Sequence, residues 1–225
     1  MTKWNIPDDA KPILFKGELV RAILAGRKTV TRRLVIPQPE PAAPEGCWRI
    51  FRRSGDTGYA LAFDDAEARE LLLERMPKRW EPMSTLYVRE QLTFWPGHIR
   101  YAADEQQLFS IDDCVWFDRV AATRGSCPSI HAPRWTSRIL LTVQEARPER
   151  LQEITADEVV REGFEVPDVD YSVPDRPWTL DAEREAFARQ LFQAKWDGIN
   201  KGRAAWASDP WLYRVQFGLK EVRTA

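Results

Sequence analysis

Apolar positions along the chain fall into short runs separated by polar and proline-rich stretches. Residues 11–15 (KPILF) form an apolar run with strand character, and Leu19, Val20, Ile23 and Leu24 follow at helical spacing, with Gly26 supplying the stop. The spacing over residues 65–76 predicts a short helix closed by Pro77. Residues 85–94 (TLYVREQLTF) read as a strand with Leu86 and Val88 on one face. The stretch 96–130 is irregular, with an extra strand expected over 115–120. Residues 138–143 (RILLTV), short and apolar between polar flanks, read as the central strand. Thr155 to Glu158 fits a capping box opening a two-turn helix that ends at Gly163. Phe187, Leu191, Phe192, Trp196 and Ile199 space out as one face of a longer helix. Tyr213, Val215 and Phe217 alternate as a last strand, and no internal repeat is present.

Short strands mixed with isolated helices, without regular strand–helix alternation, predict an α+β fold, in the form of a small, partly closed barrel. Residues 37–46 (PQPEPAAPEG) are too rich in proline to continue a sheet or helix and read as the start of a surface excursion. The chain reads as a single domain, residues 1–225, with insertions at about 37–83, 96–127 and 165–182.

Composition narrows the function classes. In 225 residues, 44% hydrophobic with ten Trp and ten Phe, there is material for one substantial core, which argues against disorder as the main state. Lys and Arg number 33 against 34 acids, so the chain lacks the field of a strong, sequence-blind duplex binder and favours a small ligand over a long polymer. Cys47, Cys114 and Cys127 are an odd count without paired spacing, as suits a reducing compartment. There is no apolar run of signal-peptide or membrane-spanning length, so the expectation is a cytoplasmic protein with no membrane partner.

The chemistry concentrates in residues 26–33, GRKTVTRR. Thr29 and Thr31 sit among Arg27, Lys28, Arg32 and Arg33, with Arg21 one helix earlier, and no acid lies within the run. A solvated basic loop explains this at its plainest. The sharper reading is that a lysine three residues before a threonine activates the hydroxyl. For that Lys28 must be neutral, its pKa falling from about 10.4 through burial or neighbouring cations. Thr29 reads as a turn hydroxyl bonding the backbone. Cys114, Cys127 and His131 have two ligand types for zinc, but a fourth ligand and a CxxC knuckle are both missing, so no metal site is assigned. Among the indoles, Trp95, Trp135, Trp196 and Trp211 are candidates to stack on a base. Trp196 and Trp211 read as core, leaving Trp135 as the preferred platform. Glu90 in YVRE is an inward polar candidate that, if buried, needs a cation such as Arg33 or Arg89.

Five motifs in order, ILAGRKTVTRR, YVRE, PSIHAPRW before RILLTV, LQEITADEVVREGF and DPWLYRVQF, resemble the ASCH domain proteins, which are PUA-like β-barrels, in the long Trp-rich form frequent in phage and prophage genomes. The resemblance covers most of residues 11–36, 84–95, 128–165 and 186–219. It implies a small mixed β-barrel with flanking helices and large loop insertions. The family's enzymes include small bacterial amidohydrolases that deacetylate N(4)-acetylcytidine, and their reactive lysine, threonine and glutamate fall here on Lys28, Thr31 and Glu162. The arginine two past the threonine becomes Arg33, and Arg32 replaces an apolar residue of the small enzymes.

The resemblance thus implies Thr31 as nucleophile, Lys28 as base and Glu162 as acid/base partner, without metal or cofactor. Glu162 stands in the last turn of its helix, where the dipole disfavours an anion by roughly 0.3–1 kcal/mol. A partner elsewhere is therefore expected, unless it is simply a solvated residue pairing with Arg161. Arg32, Arg33, Glu90, His131, Trp135, Ser137 and Arg138 are the expected substrate-binding residues. His131 doubles as an anchor for the loop entering the central strand. A nucleoside or base is the expected partner. A non-catalytic reader of a modified base or single-stranded RNA is the alternative, and a ribonuclease the weaker one.

Overall fold

The computed structural model describes residues 5–51, 58–95, 98–110, 125–167, 177–200, 202 and 204–223. The chain is α+β, with strands pairing in the orders β1-β6-β11-β12-β2, β10-β7-β8-β9 and β3-β4-β5. The ends of each order are not joined, so among the described residues no barrel closes. Contacts divide the chain into two compact units, each assembled from separate segments: 1–29, 82–144 and 217–225 in the first, 30–81 and 145–216 in the second.

In the first unit β1 (Lys11–Leu14) runs parallel to β6 (Thr85–Arg89), and residues 140–142 of β11 (Ile139–Arg150) pair antiparallel with β6. After β1 comes α1 (Gly17–Leu24), which buries Val20, Ala22 and Ile23. The expected strand over 85–94 is two strands, β6 and β7 (Leu92–Trp95), broken at Glu90. β7 pairs with β8 (His98–Tyr101) and β10 (Ser126–Cys127), and β8 with β9 (Gln107–Ser110), over a core of Leu92, Ile99, Tyr101, Leu108, Cys127 and Ala132. The strand expected over 115–120, like Cys114, lies outside the described residues.

In the second unit β2 (Val30–Leu34) pairs antiparallel with β12 (Trp211–Val222), Arg32 opposite Arg214 and Thr31 opposite Val215. Residues 37–46 hold a strand after all, β3 (Glu40–Ala42). It lies at the edge of its sheet beside β4 (Cys47–Phe51), which pairs onward with β5 (Tyr59–Ala62). An edge position tolerates Pro41 because a ladder hydrogen bond is missing on one side only. Asp64 caps α2 (Asp65–Glu74) by accepting from the Glu67 amide.

α3 (Ala156–Arg161) and α4 (Pro177–Asn200) pack with Leu151, Ile154 and Leu212 through Ala156, Val159, Ala188, Phe192 and Trp196. The buried stripe of α4 therefore runs through Ala188, while Phe187 and Ile199, expected on it, are exposed. Hydrophobic size alone hid the narrow contact that an alanine makes. No helix among the described residues is long and apolar enough to cross a membrane.

Candidate functional site

Lys28 and Glu162 are each delivered by the same kind of helix ending. At the end of α1, Gly26 takes φ +73°, its amide donates to Ile23 O at 2.9 Å, and Arg27 N donates to Ala22 O at 2.9 Å. At the end of α3, Gly163 takes φ +97°, its amide donates to Val160 O at 2.8 Å, and Phe164 N donates to Val159 O at 3.3 Å. Both are Schellman turns, and glycine is needed because the left-handed conformation crowds a Cβ against the backbone. Ala22 O also accepts from Lys28 N at 3.0 Å, so the lysine backbone is anchored to the helix that precedes it.

The first unit holds six of the expected residues. Lys28 is 2% exposed, with Nζ 5.2 Å from the centroid of the Phe15 ring. The plain reading of a solvated loop does not describe it. Glu90 and Arg138 are both buried and meet each other: Nε donates to Oε1 at 3.0 Å and Nη2 to Oε2 at 2.9 Å. The cation that Glu90 needs is thus Arg138, while Arg89 donates instead to Ala132 O at 2.8 Å.

Arg138 Nη1 also donates to Asp104 at 2.9 Å and to Gln106 Oε1, and Nη2 donates to Asp104 at 3.1 Å, so all five of its donors have partners. The Tyr101 ring lies 3.9 Å from the guanidinium, and its hydroxyl donates to Thr136 O at 2.8 Å. Burial pushes the Glu90 carboxyl up, against the pull of Arg138. Burial and then the Glu90 charge raise the Tyr101 phenol. Ser137 is buried and donates to Ile139 O at 3.3 Å. His131 and Trp135 lie exposed on two 3-10 turns, Trp135 40% open.

In the second unit, alternation along β2 sends Thr31 and Arg33 to one face and Arg32 to the other. Thr31 is 4% exposed. Arg32 is buried among three carboxylates: Nε donates to Glu149 at 2.8 Å, Nη2 to Glu158 at 2.9 Å and Nη1 to Glu162 at 3.2 Å. Its guanidinium also lies 5.9 Å over the Phe192 ring. No acid lies within the basic run, yet Arg32 is neutralised by carboxylates that stand 117 to 130 residues away in sequence.

Glu158 also accepts from Arg214, Nε at 2.9 Å and Nη2 at 2.8 Å, and from Arg161 at 3.1 Å. Burial would raise its carboxyl, but the Arg214 hydrogen bond and the Arg32 charge outweigh that and hold it down at about 2. Burial raises the Glu149 carboxyl despite Arg32. Arg33 is lowered by burial, with Glu162 pulling the other way and Arg79 adding to the fall. Glu162 thus bonds one arginine of β2 and acts electrostatically on the next.

Sequence reasoning passed over Glu149, Glu158, Arg214, Asp104 and Gln106. One signal was available: Glu158 and Glu162 are four apart, hence on one helix face, and Arg214 alternates with the apolar Tyr213 and Val215 of a predicted strand. The Cys127 thiol is buried with Sγ 3.6 Å from Pro128 O, and no group of three or more His, Cys, Asp or Glu suited to a metal occurs among the described residues. Comparison with protein-family models, with curated proteins and with solved structures finds no match.

Proposed function

We propose that the chain is an amidohydrolase of the PUA-like ASCH type, acting in the cytoplasm on a cytosine nucleoside or base acylated at its exocyclic amine, N(4)-acetylcytidine or a near relative. The observation that carries this reading is the withdrawal of Lys28 from water: a lysine in a run of cations is 2% exposed and packed near Phe15. Burial disfavours the charged form of an amine, and a neutral amine is what a threonine hydroxyl needs as its base.

In this reading Lys28 takes the Thr31 proton as Oγ forms its bond to the acyl carbon. The C–N bond to the exocyclic amine then breaks, and the proton that Lys28 took passes by way of Glu162 to the leaving amine. Water adds to the acyl-enzyme and gives a proton to Lys28, which returns it to Thr31 Oγ as the ester bond breaks and the free acid departs. Arg33 faces the same side of β2 as Thr31 and stands as donor to the oxyanion. The proposal uses no metal and no cofactor.

A panel of N(4)-acylated cytosines and cytidines, followed by chromatography for release of the free amine, tests it. Release from at least one member is expected, and no release from any member overturns it. A non-catalytic reader of modified bases or single-stranded RNA is favoured by one observation: Trp95 is 48% exposed with the Arg100 guanidinium 5.0 Å from its ring. Tight RNA binding without turnover would establish that second reading.

A further inference from the structure

We propose that Arg32 is a positioning residue, clamped by Glu149 and Glu158 so that it fixes the carboxylate of Glu162; its catalytic consequence rests on the amidohydrolase reading above. Arg32 was expected to bind substrate, but its side chain is 2% exposed, and it lies on the face of β2 that carries Leu34, beside Phe192 of α4. A guanidinium in that place acts on what surrounds it. Each of its three nitrogens goes to a different carboxylate, from β11, α3 and the residue that caps α3.

The three contacts are not equivalent. Glu158 is bound twice more by Arg214 and once by Arg161, and Glu149 has Arg147 at 3.7 Å and the shortest bond to Arg32, 2.8 Å. These two acids fix the plane of the guanidinium. Glu162 takes the remaining nitrogen at 3.2 Å, the longest of the three. It therefore receives orientation from a group that is itself held elsewhere.

Only arginine meets this requirement. Its planar fork presents donors in three fixed directions, whereas a lysine ammonium is a single point on a flexible stem. Glu162 also stands where the helix dipole repels an anion, so a cation aimed at it from the neighbouring strand offsets that placement.

The test uses the full chain with N(4)-acetylcytidine, comparing Arg32→Met, Glu162→Gln and the double variant with the parent. Arg32→Met is expected to lower kcat on the order of 10²-fold, the loss that a misplacement of about 1 Å causes, with KM nearly unchanged. The double variant is expected to match Glu162→Gln alone, since an arginine that acts through Glu162 has nothing left to position. Additive losses in kcat, or a rise confined to KM, overturn the proposal.

Where Arg32→Met gives no folded protein by circular dichroism, Glu149→Gln loosens the clamp in its place. Lower kcat at constant KM then supports the proposal, and unchanged kcat overturns it. If the parent releases no cytidine, the hydrolase reading fails on its own, and the hold on Glu162 is read from urea midpoints of the same four proteins. Coupling between positions 32 and 162 supports the hold, and additive midpoint shifts overturn it.

Discussion

Arg138 meets Glu90 in two side-by-side hydrogen bonds, Nε to Oε1 at 3.0 Å and Nη2 to Oε2 at 2.9 Å, with both side chains almost entirely out of water. A pair buried this way is expensive to break from one side, because the remaining charge has no water to return to. Arg138→Met is expected to destabilise the protein by about 3–5 kcal/mol in urea denaturation. The double variant Glu90→Leu, Arg138→Met should lose less than the sum of the single losses, and a purely additive result would show that the two groups act separately.

Thr31→Ala is expected to abolish deacylation, with kcat falling on the order of 10³-fold or more, because no other hydroxyl takes the nucleophile's part in the proposal. Affinity for the nucleoside should survive, as measured by calorimetry. Thr31→Ser, which keeps the hydroxyl, should retain measurable turnover.

The ion pairs around Glu158 predict a dependence on pH. Its folded pKa, about 2, lies below the ordinary value of 4.5, so its contribution to stability is complete above about 4.5 and is lost as the pH falls toward 2. Glu158→Gln removes that contribution. The gap in denaturation midpoint between parent and variant should therefore be widest at neutral pH and close across this acid window. A gap that stayed constant with pH would count against the ion pairs as its source.

Gly26 offers a cleaner backbone measurement. A Cβ built there meets nothing within 4 Å, so Gly26→Ala tests only the strain of φ +73°. The expected loss is about 1 kcal/mol in thermal or urea unfolding. A neutral result would mean that the turn ahead of Lys28 rearranges freely.

Much of the local architecture was legible in the sequence because it depends on near neighbours. Gly26 and Gly163 announced the ends of α1 and α3, Thr155 caps α3 by accepting from the Glu158 amide at 3.4 Å, and the alternation of Tyr213, Val215 and Phe217 marked β12. The capping box was only half right, since the Glu158 carboxylate turns instead to Arg32 and Arg214. The far half of β11 was hidden for a related reason. QEARPER looks like a loop until Glu149 is seen buried against an arginine 117 residues away. Periodicity marks such residues as polar positions on one helix or strand face but does not name their partners at that separation, and so the carboxylate clamp was missed.

Pro41 occupies the middle of a three-residue outer strand and has no amide hydrogen to offer an approaching neighbour. The rim of the small β3-β4-β5 sheet is thereby a poor template for a second copy of the chain to extend. Self-association through that margin is blunted by covalent chemistry, independent of charge or salt.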